Sequence, residues 1–158
     1  MRRGFTLIEL LVVISIIGLL SSIVLTSVNS ARAKARDVQR LRDLGELRKA
    51  LSVYALENNG TYPIQPAWRG TTPGCHDTGS DATTAIPGLT PTYISSLPRD
   101  PKQVGSQGCY VYQSNGTDYM VIAYLTVETY SYAANPAKRS SRPGEASFAV
   151  YTPGAVMW

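Results

Sequence analysis

Few residues in this chain could carry chemistry, and they lie far apart. Glu9 is the single charge within the apolar run Phe5–Val28, Cys75 and Cys109 are the only cysteines, and His76 is the only histidine. A carboxylate inside an apolar helix is costly and usually has a partner of opposite charge. Two cysteines can form one disulfide bond. The chemistry that these residues predict is ion pairing and cross-linking.

Catalysis finds little support in the sequence. It contains no serine, histidine and acid set with a nucleophile elbow and no phosphate-binding loop. General acid–base catalysis by imidazole is improbable, because the chain has one histidine. We expect this His76 and the adjacent Asp77, beside Cys75, to be loop residues and not metal ligands. We therefore predict no catalytic residue, no cofactor and no metal site, and a protein that is not an enzyme.

The large apolar residues are concentrated at the N terminus. Of the 37 Ile, Leu, Val and Phe residues, 16 lie in Phe5–Val28, which leaves a lean supply for a core elsewhere. Leu10–Val28 carries no charge, and a helix of about 20 such residues spans a bilayer. A cleaved secretory signal is the alternative, but its apolar stretch is shorter and ends in a small-residue cleavage site. We therefore predict a membrane anchor over residues 5–28.

The helical pattern continues beyond this run, over residues 29–59. No proline occurs between Phe5 and Asn59, and the run Asn58-Asn59-Gly60 followed by Pro63 is typical of a helix end. One helix of about 50 residues, roughly 80 Å long, is expected. The residues that predict its apolar face are spaced by three and four: Val38, Leu41, Leu44, Leu47, Leu51 and Tyr54.

Seven basic residues lie on the second half of this helix. They can be interpreted as a contact for nucleic acid or another anionic surface. They can also form a solvated helix face near the membrane, with acids three or four residues away in support. No aromatic residues are interleaved with them, so we favour the solvated face and expect no nucleic-acid partner. The basic residues are Arg32, Lys34, Arg36, Arg40, Arg42, Arg48 and Lys49, with Asp37, Asp43 and Glu46 among them.

Residues 60–158 are predicted to form a globular head. Residues 61–108 are rich in Gly, Pro, Ser and Thr and indicate loops with short structured pieces. An antiparallel sheet is expected over about 109–158, with strands at 110–113 and 119–127 around the Asn115-Gly116 turn. Ser147–Thr152 is predicted as a third strand, with Phe148, Val150 and Thr152 on one face. The fold class is α+β, a long N-terminal α-helix packed on a small antiparallel β-sheet.

The N-terminal residues Arg-Arg-Gly-Phe-Thr-Leu-Ile-Glu-Leu, positions 2–10, resemble the signal of type IV pilins and type II secretion pseudopilins. The resemblance implies a leader of residues 1–4, cleaved after Gly4 by a prepilin peptidase, and N-methylation of the new terminal Phe5. It also implies that Glu9 pairs with the N-terminal amine of a neighbouring subunit. Each charge is unfavourable alone in an apolar bundle, so the pair would fix the stagger between subunits.

The resemblance implies a structural subunit of a type IV pilus-like filament, polymerised through Phe5–Val28. Its partners would be copies of itself, the prepilin peptidase, a membrane platform protein and an assembly ATPase. The protein would cross the cytoplasmic membrane once and then enter an extracellular pilus or a periplasmic pseudopilus. Three uses stay open: a surface pilus for adhesion or twitching, a type II secretion pseudopilus, or DNA uptake. The segment Leu97–Pro101 favours the pseudopilus, because it resembles the start of the sheet in major pseudopilins.

Two other classes of protein were weighed against a filament subunit. A monomeric, membrane-anchored binding module would leave Glu9 without a partner, and an anchored enzyme would lack an active site.

Two departures from the family are also visible. The stretch Ser22–Thr26 lacks the proline at which many family members can unwind the helix. The segment Thr129–Ala146 offers Glu145 alone against three basic residues, so we predict no calcium site there.

Cys75 and Cys109 are expected to form a disulfide, because a head outside the cytoplasmic membrane lies in an oxidising compartment. A pair of free thiols is the alternative.

Asn59 and Asn115 each begin an Asn-Gly-Thr sequon. The helix end and the turn already explain both, so glycosylation is not expected.

Overall fold

A computed structural model describes residues 5–72, 74–75, 85–103, 108–129, 147–156 and 158. These residues form one long helix followed by four strands and a short 3₁₀ turn. The elements are α1 (Leu7–Glu57), β1 (Gln65–Gly70), β2 (Cys109–Ser114), β3 (Tyr119–Tyr124), β4 (Phe148–Tyr151) and the 3₁₀ turn Pro153–Ala155.

Helix α1 runs without a break for 51 residues, through the proline-free stretch Ser22–Thr26. It ends where the sequence predicts, because Asn59 and Gly60 have φ values of 55° and 78°. The Gly60 N–H donates to the carbonyl oxygen of Ala55 at 2.8 Å, which satisfies a backbone acceptor of the last turn. The predicted apolar segment 5–28 and the predicted amphipathic segment 29–59 thus lie along one continuous helix.

The four strands form an antiparallel sheet in the order β1-β2-β3-β4. Strands β2 and β3 pair from Cys109 opposite Tyr124 to Ser114 opposite Tyr119. Their turn is closed by Asn115, whose Oδ1 accepts hydrogen bonds from the backbone N–H groups at 117 and 118. The predicted Asn-Gly turn and the α+β arrangement are confirmed.

One face of the sheet packs on α1. Tyr110 and Tyr112 are fully buried there. Phe148 and Val150 of β4 lie on this face, as predicted. The buried residues of this core are Leu44, Leu47, Ala50, Leu51, Ala85, Ile86, Leu89, Tyr110, Tyr112, Tyr119, Val121, Ala123 and Phe148.

The opposite face of the sheet forms a second core around the disulfide. Partly buried Trp68 and Trp158 pack against it, so β1 and the C-terminal residue both help to cover it. Its buried members are Cys75, Cys109, Val111, Met120, Ile122, Ala149 and Ala155. Both faces of this small sheet are therefore used.

The extent of the sheet differs from the prediction. Strand β1 lies inside the segment 61–108, so the expected sheet start near residue 109 was wrong. Its pairing with β2 is irregular between Gln65 and Arg69, and Pro66 within it lacks an N–H to donate. Strand β3 ends at Tyr124, not at 127, because Leu125 adopts a φ of 53°.

The predicted apolar face of α1 is confirmed for five of its six residues, which lie in or against the core: Leu41, Leu44, Leu47, Leu51 and Tyr54. It differs from the prediction at its N-terminal end. Val38 is 53% exposed, whereas Asp37 and Arg40 are fully buried in line with Leu44. The prediction that the basic residues from 32 to 49 form a solvated face was therefore wrong for Arg40. Its guanidinium is surrounded by carboxylates, which makes its burial tolerable.

Candidate functional site

The first candidate site is the N-terminal half of α1, which lies outside the head. Phe5 is 84% exposed, and every described residue up to Arg32 is exposed. Among the described residues, α1 is the one helix long and apolar enough to cross a membrane. An apolar surface of this length must be covered by lipid or by other protein chains.

Thr6 and Glu9 cap the start of this helix. The Glu9 Oε2 accepts hydrogen bonds from the Thr6 N–H at 2.8 Å and from the Thr6 hydroxyl at 2.7 Å. In return, the Glu9 N–H donates to Thr6 Oγ1 at 3.3 Å. This reciprocal arrangement is a capping box, which satisfies donors that an α-helix leaves unpaired at its start.

Both capping hydrogen bonds to the Glu9 carboxylate use the same oxygen. Within the described part of the chain, Glu9 Oε1 accepts no hydrogen bond. The carboxylate can therefore hold its own helix start with one oxygen and accept a donor from outside with the other. Gly4, the predicted cleavage position, lies outside the described residues.

Three of the five hydroxyl groups between Leu10 and Val28 are turned onto their own helix. Ser15, Ser22 and Thr26 each donate to the carbonyl oxygen three or four residues earlier, at 2.8 Å in each case. Local pairing of this kind removes free donors from the helix surface. The outer surface of residues 10–28 consequently offers almost only apolar contacts.

The second candidate site is a buried ion cluster where α1 meets the head. Arg40 donates from Nε and Nη2 to the two carboxylate oxygens of Asp100, at 2.6 and 3.0 Å. Its Nη1 donates to Asp37 at 2.7 Å and to Glu128 at 3.0 Å. One guanidinium thus joins three carboxylates from three separate parts of the chain.

Asp37 fixes the segment that leaves β3. Its carboxylate accepts hydrogen bonds from the backbone N–H groups of Glu128 and Thr129 and from the Thr129 hydroxyl, at 2.7 to 3.1 Å. No neighbouring strand supplies acceptors for these donors, so a side chain of the helix supplies them instead. Asp37 thereby ties residues 128–129 to α1.

Glu128 is shared among three cations. Arg36 contacts it with two nitrogens at 2.7 Å, and Lys102 Nζ lies 3.0 Å from its Oε2. Hydrogen bonds from Arg36 hold the pKa of Glu128 well below its ordinary value, with Lys102 and Arg40 adding to the effect. Three carboxylates and three basic side chains make the cluster neutral, which limits the cost of its burial.

Asp43, on the buried face of α1 but outside the ion cluster, has a pKa shifted in the opposite direction to that of Glu128. Asp43 accepts a hydrogen bond of 2.6 Å from the Tyr110 hydroxyl. Burial raises the pKa of Asp43, and the hydrogen bond from Tyr110 opposes this. Burial also raises the pKa of Tyr110. The pair joins α1 to the middle of β2.

The structure joins Cys75 and Cys109 in a disulfide, with Cα atoms 5.9 Å apart. Both cysteines are fully buried. The bond closes 34 residues of sequence between the loop after β1 and the first residue of β2. Gly70 is required beside it, because a Cβ atom there would overlap the Cys75 side chain and carbonyl oxygen.

The sequence reading missed the ion cluster, although signals for it exist. Asp37 and Arg40 continue the spacing of Leu44, Leu47 and Leu51, so the buried face can be extended backwards through charged residues. Asp100 lies within the segment noted for its resemblance to pseudopilins. Glu128 carries no local signal, because only the fold brings it to α1.

Several expectations fall outside the described residues. His76, Asp77 and nearly all of Thr129–Ala146 belong to this group, so the metal and calcium predictions stay predictions. The described residues contain no group of three or more His, Cys, Asp or Glu side chains arranged to hold a metal ion. Of the two sequon residues, Asn115 is exposed but its side chain is hydrogen-bonded within the β2–β3 turn, and Asn59 lies at the end of α1.

Comparisons with known proteins bear on both sites. A family model described as the prokaryotic N-terminal methylation motif matches residues 1–25. The type II secretion system core protein G of Escherichia coli K12 is 33% identical over 132 residues, which cover 74% of this chain and 83% of that protein. The same protein of Aeromonas hydrophila is 36% identical over 108 residues, or 63% of this chain and 67% of its own.

A pilus component is also similar to this chain. The type IV wide pilus major component PilA4 of Thermus thermophilus is 39% identical over 65 residues, which are 41% of this chain and 50% of that protein. No solved structure matches this chain significantly.

Proposed function

This chain belongs to the family of type IV pilins and type II secretion pseudopilins, and from that premise we propose that it is a structural, non-enzymatic subunit of a type II secretion pseudopilus. The subunit is inserted in the cytoplasmic membrane, cleaved after Gly4 by a prepilin peptidase and N-methylated at Phe5. It then polymerises through Phe5–Val28 with the help of a membrane platform protein and an assembly ATPase. The similarity to type II secretion system core protein G, which extends over most of this chain, supports the secretion role.

The observation that carries this proposal is the pairing potential of Glu9. Its carboxylate lies at the start of the apolar half of α1, where every described residue is exposed. One oxygen is used by Thr6, and Oε1 is open to a donor. Cleavage after Gly4 would create a positive amine at Phe5, one helical turn away along the chain. Between neighbouring subunits, each such amine could meet a Glu9.

Pairing of this kind would select the register of the filament. In an apolar bundle, a shifted neighbour would leave both a bare amine and a bare carboxylate, and buried unpaired charges are strongly unfavourable. The apolar contacts of Leu10–Val28 are similar at any axial shift, so they supply affinity without register. The ion pair supplies the register.

A surface pilus is the second candidate. The Thermus thermophilus relative, a major pilus component, supports it over the N-terminal part of the chain. Both candidates share the assembly mechanism and differ in where the filament forms. Abundant long fibres of this chain, sheared from the cell surface, would favour the pilus.

The assembly mechanism is tested with Glu9→Gln and Glu9→Ala in cells that carry the assembly machinery. Filament yield should fall at least ten-fold in both variants. Mass spectrometry should still find an N-methylated Phe5 terminus, and membrane fractionation should still find the protein inserted. A matched control is Glu57→Gln, which removes an exposed acid at the far end of α1. Normal filament yield from Glu9→Ala would sink the pairing mechanism.

A further inference from the structure

The acids and bases on the second half of α1 do not face the same surroundings. Asp37 and Asp43 are buried against the head, where they bind Arg40 and Tyr110. Arg32 and Lys34 are exposed, and among the described residues they make no ion pair. The sequence suggested a mixture of charges near the membrane. In the folded protein, Asp37 and Asp43 are used internally, and Arg32 and Lys34 have no acidic partner among the described residues.

Arg32 and Lys34 lie where a membrane surface would be. The 20 residues Glu9–Val28 are about 30 Å of helix, which matches the hydrocarbon thickness of a bilayer. Arg32 is then about 6 Å beyond the hydrocarbon edge and Lys34 about 9 Å beyond it. Headgroups occupy the first 5–8 Å or so outside that edge. Both side chains are long enough to reach them.

The two residues point to different sides of the rod. They are two positions apart, which corresponds to about 160° around an α-helix. A third exposed cation comes from the head. Lys102 is 61% exposed, and its backbone N–H donates to Asp100, which is bound in turn by Arg40. Its ammonium group contacts Glu128 beside Arg36, two residues after Lys34.

Arg32 and Lys34 lie on the stalk just before the head, and Lys102 lies near Arg36, the next basic residue along the helix, through their shared partner Glu128. The charge of Lys102 is balanced within the ion cluster through Glu128, but its ammonium group is exposed and can contact a second acceptor. Arg32 and Lys34 make no ion pair among the described residues. On the translocated side of a membrane span, basic residues are generally depleted close to the bilayer. Arg32 and Lys34 therefore add positive charge at a place that usually lacks it, and a partner of negative charge at that level would stabilise them.

We propose that Arg32, Lys34 and Lys102 form a basic collar that binds the phosphate groups of anionic phospholipids, such as phosphatidylglycerol, on the outer leaflet of the membrane that anchors the chain. The inference rests on the membrane anchoring in the proposed function. The collar holds the head close to the bilayer before assembly and fixes the depth of the span. Withdrawal of a subunit into a filament then has to break these contacts.

Lipid is favoured over an acidic protein by continuity with the apolar span. The collar begins four residues after Val28, so any lipid that covers the span brings its headgroup to Arg32 and Lys34. Membrane surface charge attracts each nearby Lys or Arg, and the attraction decays within a Debye length of about 10 Å. Arg42, Arg48 and Lys49, which lie about 21–32 Å beyond Val28, are too far away to share it.

The experiment uses the full mature chain in phosphatidylcholine vesicles with trace spin-labelled lipids. Electron paramagnetic resonance gives the association of spin-labelled phosphatidylglycerol relative to spin-labelled phosphatidylcholine. The wild-type chain should prefer phosphatidylglycerol several-fold, and salt should weaken the preference. The triple variant Arg32→Gln, Lys34→Gln, Lys102→Gln should lose it, by up to about five-fold for each cation. Inorganic phosphate at matched ionic strength should leave the preference unchanged.

The matched control is Arg42→Gln, Arg48→Gln, Lys49→Gln, which removes the same charge farther from the membrane and should keep the preference. An equal loss in this control, or no preference in the wild-type chain, would overturn the proposal. If the triple variant kept its lipid preference but failed to assemble, the collar would bind an acidic protein surface and the lipid proposal would again fail. Absence of motionally restricted phosphatidylcholine would instead show that the anchoring itself is wrong.

Discussion

Arg40 and Asp100 form a buried, bidentate ion pair between the helix and the loop before β2, with N–O distances of 2.6 and 3.0 Å. Their side chains are 1% and 0% exposed. Burial alone would lower the pKa of Arg40, but its hydrogen bonds to Asp100 and Glu128 outweigh this and hold the pKa above its ordinary value. The rod and the head are therefore joined by charge as well as by apolar contacts.

The first prediction concerns removal of this guanidinium. Arg40→Met should lower the free energy of unfolding of the head by about 3–5 kcal/mol, because it leaves buried carboxylates without their cation. Thermal unfolding of the full chain in detergent, followed by near-ultraviolet circular dichroism of the tyrosines, measures the change.

Arg42→Met is the matched control, because Arg42 is an exposed neighbour on the same helix. It should change stability by less than about 0.5 kcal/mol. Equal effects of the two variants would contradict a special role for the cluster. In the double variant Arg40→Met, Asp100→Asn, part of the lost stability should return, since one bare carboxylate has been removed.

The second prediction is a loss of stability in acid that depends on Glu128. Its pKa is lower in the folded state than its ordinary value of 4.5, so its stabilising effect is present above about pH 4.5 and is lost as the pH falls through the folded pKa. The wild-type melting temperature should therefore decrease when the pH is lowered below about 4.5. Glu128→Gln should be less stable near neutrality and should show a flatter decline.

Asp43 provides a contrast of opposite sign. Its pKa is raised by burial, so its ionisation works against folding, and acidification relieves that cost. Asp43→Asn should therefore make the acid decline steeper than in the wild-type chain. A wild-type stability that is constant down to about pH 3 would contradict the assigned role of Glu128.

The third prediction concerns the disulfide. The paired variant Cys75→Ala, Cys109→Ala should lose roughly 3–4 kcal/mol of stability, as chain-entropy arguments give for a closed loop of about 34 residues. Reductant should lower the wild-type melting temperature to that of the variant and leave the variant itself unchanged. A wild-type chain that is insensitive to complete reduction, verified by thiol alkylation, would contradict this.

The fourth prediction separates Thr6 from Glu9. Thr6→Val removes the hydroxyl that accepts from the Glu9 N–H and donates to Glu9 Oε2. Loss of such a cap costs about 1 kcal/mol, so amide exchange at Glu9 should speed up about five-fold. Thr6→Ser keeps the hydroxyl and should behave like the wild-type chain. Filament yield should fall less for Thr6→Val than for Glu9→Gln, and a larger fall would place the main assembly role on Thr6.

Much of the helix could be predicted, because its signals are local. The absence of proline and the run Asn58-Asn59-Gly60 set its length, since a left-handed residue pair ends a helix by its own backbone preference. Strand β1 could not be predicted in the same way. Pro66 and Gly70 disfavour a strand locally, and only pairing with β2 and packing beside Cys75 establish it.

The sequence by itself determined the rod, its apolar assembly half, the position of Glu9 and the family to which the chain is similar. These properties depend on periodicity and on spacing within a few residues. Only the tertiary structure decided which charges are buried. Asp37, Arg40, Asp100 and Glu128 meet because the sheet packs on α1, and burial then makes each of them depend on the others. Among the described residues, Arg32 and Lys34 make no ion pair, because Asp37, their nearest acidic neighbour in the sequence, faces inward.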